Sequence, residues 1–350
     1  MIGGRALRTA LLTIALGALT TLGACAPDFR PMGPAIGPAH LADDAIITVD
    51  GARLPLHVWP ATGETRAVIL ALHGFTDYSN AFALPASAWS TVGITTYAYD
   101  QRGFGAAEPH LRWAGAETYT NDARTALSVI RRAHPDVPLY LLGESMGGAV
   151  AILAVTETET AGDIADGMIL IAPGMFDRPE LSEAERTFLD IGAHTLPWAM
   201  SGKRGITVWP TDNLALLRQM AQDPLMQREV RFDQIYGLLN MLEKSTRRIW
   251  RIDLPTLALF GGKDEILPPG AADYFEQQTI AQMARGTVRT ERIPGAYHML
   301  LRDKDATSRH DRIGAWVFDL PPVKHNATIG KDVDADATNA DTEQMALHQD

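Results

Sequence analysis

Five short runs, residues 67–72, 94–99, 139–142, 168–172 and 256–260, are apolar, aromatic or β-branched throughout, and helix-forming stretches lie between several of them. A run this short without polar alternation suits a strand covered on both faces. Strands that alternate with helices imply a mostly parallel sheet with helices on either side. The helical stretches are 81–92, 119–133, 146–155, 271–284 and 306–318, and 287–293 reads as a weaker strand. Asp50-Gly51 between β-rich runs at 45–49 and 54–59 predicts an antiparallel hairpin at one edge. The rhythm breaks over about 174–251, which shows no buried strand but three helical stretches, 182–191, 212–222 and 232–248. That is too long for a plain connection. It predicts a helical cap over the C-terminal edge of the sheet.

The fold class is therefore α/β, with a folded body over 43–320 and two ends outside it. Arg5 and Arg8 precede an uncharged apolar stretch, 10–22, that is short for a membrane span. Residues 1–24 read as an export signal. Leu22-Gly23-Ala24-Cys25 resembles the lipobox of bacterial lipoproteins, and the only cysteine of the chain stands where that motif needs one. The resemblance implies cleavage before Cys25, lipidation of Cys25, and a protein anchored in the cell envelope. Ala26 after the cysteine implies the outer membrane, facing the periplasm. An ordinary secretory signal is the plainer alternative. Residues 25–42, rich in Pro and Gly, read as a tether, and 321–350 as a disordered acidic tail. A formal net charge of -11 and no long basic run argue against a nucleic-acid partner. One cysteine excludes an intrachain disulfide and a cysteine zinc site. Neither an H-E-x-x-H nor a P-loop pattern occurs, so no metal or cofactor is expected.

The chemistry falls where strands end. The run 139–142 leads into Gly143-Glu144-Ser145-Met146-Gly147 and then into a helix. In that setting G-x-S-x-G lifts a serine hydroxyl above the sheet edge at a helix N-terminus. Serine needs a base to become a good nucleophile. The order nucleophile, acid, histidine leaves His298, which follows the last strand. The acid should follow the strand before it; Asp264 in Gly261-Gly262-Lys263-Asp264-Glu265 is the choice and Glu265 the fallback. The strand 67–72 ends in His73-Gly74-Phe75, so the N–H groups of Phe75 and Met146 are the natural oxyanion donors. His73 reads as a hydrogen-bonding residue, and Asp100 and Arg102 as braces of their loop.

These pieces, HGFTDYS from His73, YDQRGFG from Tyr99, GESMGGA from Gly143, FGGKDEILPP from Phe260 and PGAYHMLLRD from Pro294, are similar to the α/β-hydrolase superfamily. Within it they resemble the monoacylglycerol lipase and lysophospholipase branch, related to the S33 serine aminopeptidases. The resemblance implies an α/β-hydrolase fold with Ser145, Asp264 and His298 as nucleophile, acid and base, and Phe75 and Met146 as oxyanion donors. Glu144 stands where many members carry histidine. The expected function is a serine hydrolase cleaving carboxylic esters through an acyl-enzyme. Its expected substrates are small or lipid esters, above all monoglycerides or lysophospholipids. The alternatives are a peptidase or amidase of the same fold, and a non-catalytic envelope lipoprotein. Apolar residues of the insertion, among them Phe188, Leu196, Trp198, Met200, Trp209 and Leu225, would either pack its own small core or line an acyl-chain tunnel.

Overall fold

The protein is described by a computed structural model over residues 26–158, 164–176, 181–201 and 208–320. The expected signal segment, Cys25 and the acidic tail lie outside the described residues. Among the described residues nine strands form one sheet in the order β1-β2-β3-β5-β4-β6-β7-β10-β11. They are β1 (His40–Leu41), β2 (Ala45–Ile47), β3 (Arg53–Trp59), β4 (Ala67–Leu72), β5 (Ile94–Tyr99), β6 (Leu139–Glu144), β7 (Gly167–Ile171), β10 (Thr256–Gly261) and β11 (Val288–Ile293). From β5 to β11 all neighbours run parallel, and β1 to β3 add the antiparallel edge.

The apolar runs explain the layers. In β4, Val68, Leu70 and Leu72 join the core on one face, while Ala67, Ile69 and Ala71 join the core on the other. Both cores are closed by helices, as a sheet without a polar face requires. The first takes α2 (Ala116–Ala133), α3 (Met146–Thr156) and part of α7 (Ala271–Gln278). The second takes α1 (Ala83–Ser90) and α9 (Thr307–Asp319). The stretch expected as a single helix over 271–284 is two, α7 and α8 (Ile280–Ala284). They part at Thr279, whose hydroxyl donates to the Phe275 carbonyl at 2.8 Å.

Between β7 and β10 lies the cap, with α4 (Glu183–Thr195), α5 (Leu214–Gln222) and α6 (Phe232–Thr246). Two very short strands, β8 (Met200–Ser201) and β9 (Val230–Arg231), pair antiparallel within it. The cap is held to the body at defined points. The amide of Gln227 donates to Thr76 O at 3.1 Å, the Tyr78 hydroxyl donates to Asp223 Oδ2 at 2.6 Å, and the Met299 amide donates to Pro210 O at 2.8 Å. Several of the cap's described apolar residues are not packed into a core. Phe188 (67% exposed), Trp198 (59%) and Trp209 (48%) stand out into solvent, with Leu196, Met200 and Leu225 also exposed. Met241 alone of the large apolar side chains of α6 is fully buried.

The segment 26–42 is not the free tether that its composition suggests. Phe29 packs on the core, the Arg30 amide donates to Trp113 O at 2.7 Å, and the Met32 amide donates to Thr118 Oγ1 at 2.9 Å. Asp28 is ion-paired to Arg112 of the body and, at 3.3 Å, to Arg231 of the cap. Further along, Arg132 donates to Ala39 O at 3.0 Å, and β1 joins the sheet through β2. Proline and glycine leave little side chain to pack, but the remaining N–H groups and charges still find partners on the body.

Candidate active site

Ser145 sits between β6 and α3 with φ 54 and ψ −116. A residue with a Cβ is strained there by about 1–3 kcal/mol, which the surroundings must over-determine. Its amide donates to Ile171 O at 3.0 Å, and its carbonyl accepts from Gly148 N at 2.9 Å and Gly174 N at 2.8 Å. The flanking glycines make the turn possible by their missing Cβ. One on Gly143 would lie 2.3 Å from Gly147 O, and one on Gly147 would lie 2.1 Å from Leu72 O. The turn leaves Ser145 at the head of α3, where the first N–H groups have no carbonyl within the helix to take them.

His298 follows β11 and Asp264 follows β10, at the same C-terminal edge of the sheet as Ser145. His298 Nδ1 lies 2.8 Å from Asp264 Oδ2, with both side chains at most 5% exposed. The other oxygen, Oδ1, accepts from Ile266 N at 2.8 Å and Leu267 N at 3.1 Å. Burial pushes the Asp264 carboxyl up, but the hydrogen bond and charge of His298 and these two amides outweigh it. Asp264 is held below the usual carboxylate range. With Nδ1 donating to a carboxylate, Nε2 of a neutral imidazole is left as the acceptor, which is the tautomer a general base needs. Glu265, the fallback acid, is exposed.

The loop after β4 lies against this turn. A Cβ on Gly74 would come 3.4 Å from Ser145 Cβ, so the Phe75 backbone passes beside the nucleophile. The Phe75 ring packs edge-on to Phe104 (5.6 Å) and Trp113 (6.3 Å). Met146, the first residue of α3, is buried. His73 makes a bond with each ring nitrogen: Nδ1 donates to Gly74 O at 2.8 Å, and Nε2 accepts from the Gln101 amide at 3.0 Å. Burial holds this imidazole below its ordinary pKa, and the accepting Nε2 has no place for a proton. Asp100 and Arg102 brace their surroundings. Asp100 accepts from the Ser79 amide and hydroxyl and the Ala106 amide. Arg102 is shared between Asp50 and Asp122.

Sequence reasoning gave no reason to single out Arg302 or Asp77. Arg302, on the turn after His298, is ion-paired to both Asp77 and Glu144 in the buried edge. The side chain of Glu144 faces this cluster, so the residue before the nucleophile is part of an internal ion network. The described residues contain no group of three His, Cys, Asp or Glu side chains arranged to hold a metal ion.

The same arrangement of sheet and helices recurs in known proteins. The family pattern described as serine aminopeptidase, S33, matches residues 63–305. Human monoglyceride lipase is 27% identical over 284 residues, covering 78% of this chain and 89% of that protein. Monoacylglycerol lipase of Mycolicibacterium smegmatis is 22% identical over 279 residues, covering 77% of this chain and 94% of that one. The crystal structure of a monoglyceride lipase variant from Saccharomyces cerevisiae superposes with a TM-score of 0.65 at 20% identity, covering 83% of this chain and 97% of that chain. This likeness extends over the body and the cap together, with the matched pattern running from before β4 to beyond His298. The chain belongs to the S33 serine aminopeptidase family of the α/β-hydrolase fold and is a hydrolase similar to the monoacylglycerol lipases.

Proposed function

We propose that the protein is a lipid-anchored serine hydrolase of the cell envelope that cleaves carboxylic esters of monoacyl lipids, monoglycerides or lysophospholipids. The observation that carries the catalytic reading is the buried 2.8 Å contact of His298 Nδ1 with Asp264, at the sheet edge that also carries the strained Ser145. His298 Nε2 takes the Ser145 proton as Oγ attacks the ester carbonyl. Asp264 holds the imidazole and stabilises its cation. The N–H groups of Phe75 and Met146 take the negative charge that develops on the carbonyl oxygen. The imidazolium returns its proton to the leaving alcohol, which departs and leaves an acyl-Ser145. Water, deprotonated by His298, then releases the acid.

Two observations support a lipid substrate. The relatives named above are monoglyceride and monoacylglycerol lipases. The cap also exposes large apolar side chains, Phe188, Trp198 and Trp209, each costly to leave in water. The anchor rests on the sequence around Cys25 and places the enzyme, exported, at the outer membrane facing the periplasm. A fluorophosphonate probe should label wild type and spare Ser145→Ala. A panel of p-nitrophenyl esters beside aminoacyl-nitroanilides then separates esterase from peptidase. Nitroanilide turnover exceeding ester turnover rejects the ester reading, and an unlabelled wild type rejects the hydrolase mechanism.

A further inference from the structure

Three loops meet at the C-terminal edge of the sheet: 73–78 after β4, the turn at 145 after β6, and 294–303 after β11. The ladder between β4 and β6 ends at Leu72 opposite Gly143. Past that point the Arg302 guanidinium spans the gap. Its Nη1 donates to Asp77 Oδ2 at 2.7 Å and its Nη2 to Glu144 Oε1 at 2.5 Å. None of the three side chains is more than 5% exposed. Asp77 lies two residues after Phe75, and Glu144 lies two residues before Met146. Each carboxylate is thus one short backbone step from one of the two N–H groups assigned to the oxyanion, and a single planar cation holds both carboxylates.

We propose that Arg302 is a positioning residue that sets the separation of the two oxyanion donors. It acts through Asp77 and Glu144 rather than on the substrate, and the inference rests on the ester-hydrolase reading above. Stability is a poor reason for such a cluster. Two carboxylates share one cation in a dry site, and among the described residues Glu144 Oε2 and Arg302 Nε have no hydrogen-bond partner. Buried ion groups of this kind tend to be no better for stability than apolar side chains of the same volume. What a rigid fork does supply is a fixed angle and distance between two acceptors, which an ammonium on a flexible stem does not. Oxyanion stabilisation depends on that distance, because a donor aimed away from the developing charge is lost to catalysis. Arg302 is also tied to the other parts of the site. It follows His298 by four residues, and its carbonyl accepts from Asn213 Nδ2 of the cap at 3.2 Å.

The test is Arg302→Lys, with turnover normalised to active sites titrated to completion by a fluorophosphonate. The expected result is a fall in kcat of about tenfold to a hundredfold per titrated site, with KM for p-nitrophenyl butyrate within about twofold of wild type, since a misplacement of about 1 Å is enough for such a loss. Wild-type kcat per titrated site, whatever happens to the melting temperature, overturns the proposal and leaves Arg302 a structural residue. If Arg302→Lys does not fold, Asp77→Asn and Glu144→Gln keep an acceptor oxygen at each end. Each should lower kcat several-fold, and the double variant should lose little beyond the worse single, because loosening either end frees the same span. A double loss equal to the product of the singles overturns the proposal. Wild type that neither labels nor turns over the ester sinks the hydrolase reading itself, before any variant is compared.

Discussion

His298 Nδ1 and Asp264 Oδ2 lie 2.8 Å apart although 34 residues separate them in the chain. Replacing the carboxylate by an amide keeps the shape and presents a donor where an acceptor was, so the imidazole is driven to the wrong tautomer. Asp264→Asn is expected to lower kcat by about three orders of magnitude or more, and Ser145→Ala and His298→Ala by as much or more, with the fold retained. Steady-state kinetics beside circular dichroism on the purified variants checks this. Near-normal esterase activity in Ser145→Ala would remove the assignment of the nucleophile.

The cap predicts an acyl-chain preference. Contact of an acyl chain with the cap's exposed apolar side chains should contribute up to about 0.8 kcal/mol per methylene. Medium and long monoacyl esters should therefore exceed acetate esters in kcat/KM, and Trp198→Ser should flatten that slope while leaving acetate turnover in place. A wild-type profile that is flat or falls from C2 to C10 refutes the lipid reading and leaves the esterase reading standing.

Buried His73 predicts an acid-sensitive term in stability. The fold holds this imidazole neutral, with burial the main cause, so its folded pKa lies below the ordinary 6.5. Below that pH the unfolded chain binds a proton that the folded chain refuses. The contribution is fully present above pH 6.5 and is lost as pH falls. In urea titrations, the stability gap between wild type and His73→Gln should narrow below pH 6.5 by up to about 1.4 kcal/mol per pH unit. A gap that stays constant from pH 8 to 5.5 contradicts it.

Two glycines should respond in opposite ways. A methyl group on Gly147 would lie 2.1 Å from the Leu72 carbonyl oxygen, at the end of a fully buried strand. Gly147→Ala should destabilise by more than about 2 kcal/mol and abolish activity, since strand and nucleophile turn must part. Gly295 has nothing within 4 Å of the same position. Gly295→Ala should stay within about 0.5 kcal/mol of wild type by denaturant midpoint. Equal effects at the two sites would show that the turn is looser than its geometry.

Lipidation of Cys25 is tested by fractionation beside intact mass. Wild type should sediment with membranes and carry a modified Cys25 at its mature N-terminus, because several acyl chains hold a protein firmly where one does not. Cys25→Ser should be soluble or uncleaved. A wholly soluble wild type, or a mature N-terminus at another residue, rejects the anchor without touching the catalytic argument.

The sheet was legible because its central strands are apolar on both faces, so five of them stand out as unbroken runs. β1, β8 and β9 were not, since two residues carry no period. Ser145 and His298 were legible because each lies beside a strand end in a local pattern. Arg302 was not, because its partners stand 225 and 158 residues away and no local pattern marks them. The segment at 26–42 misled for a different reason. Its composition reports how little side chain it can bury, while its placement is decided by backbone amides and by Asp28 meeting arginines of the body and the cap.

That docked segment changes what an anchor would do. Cys25 precedes Asp28 by three residues, and fully extended these span at most roughly 11 Å. With lipid on Cys25, the enzyme would ride on a leash too short to swing, its seam between body and cap pressed towards the bilayer. Its search for substrate would be two-dimensional, confined to the leaflet that holds it. Releasing the whole docked stretch, the Asp28 ion pairs together with the Phe29, Arg30 and Met32 contacts, would lengthen the leash without adding a residue, and would let the same enzyme graze on lipid presented by a facing surface.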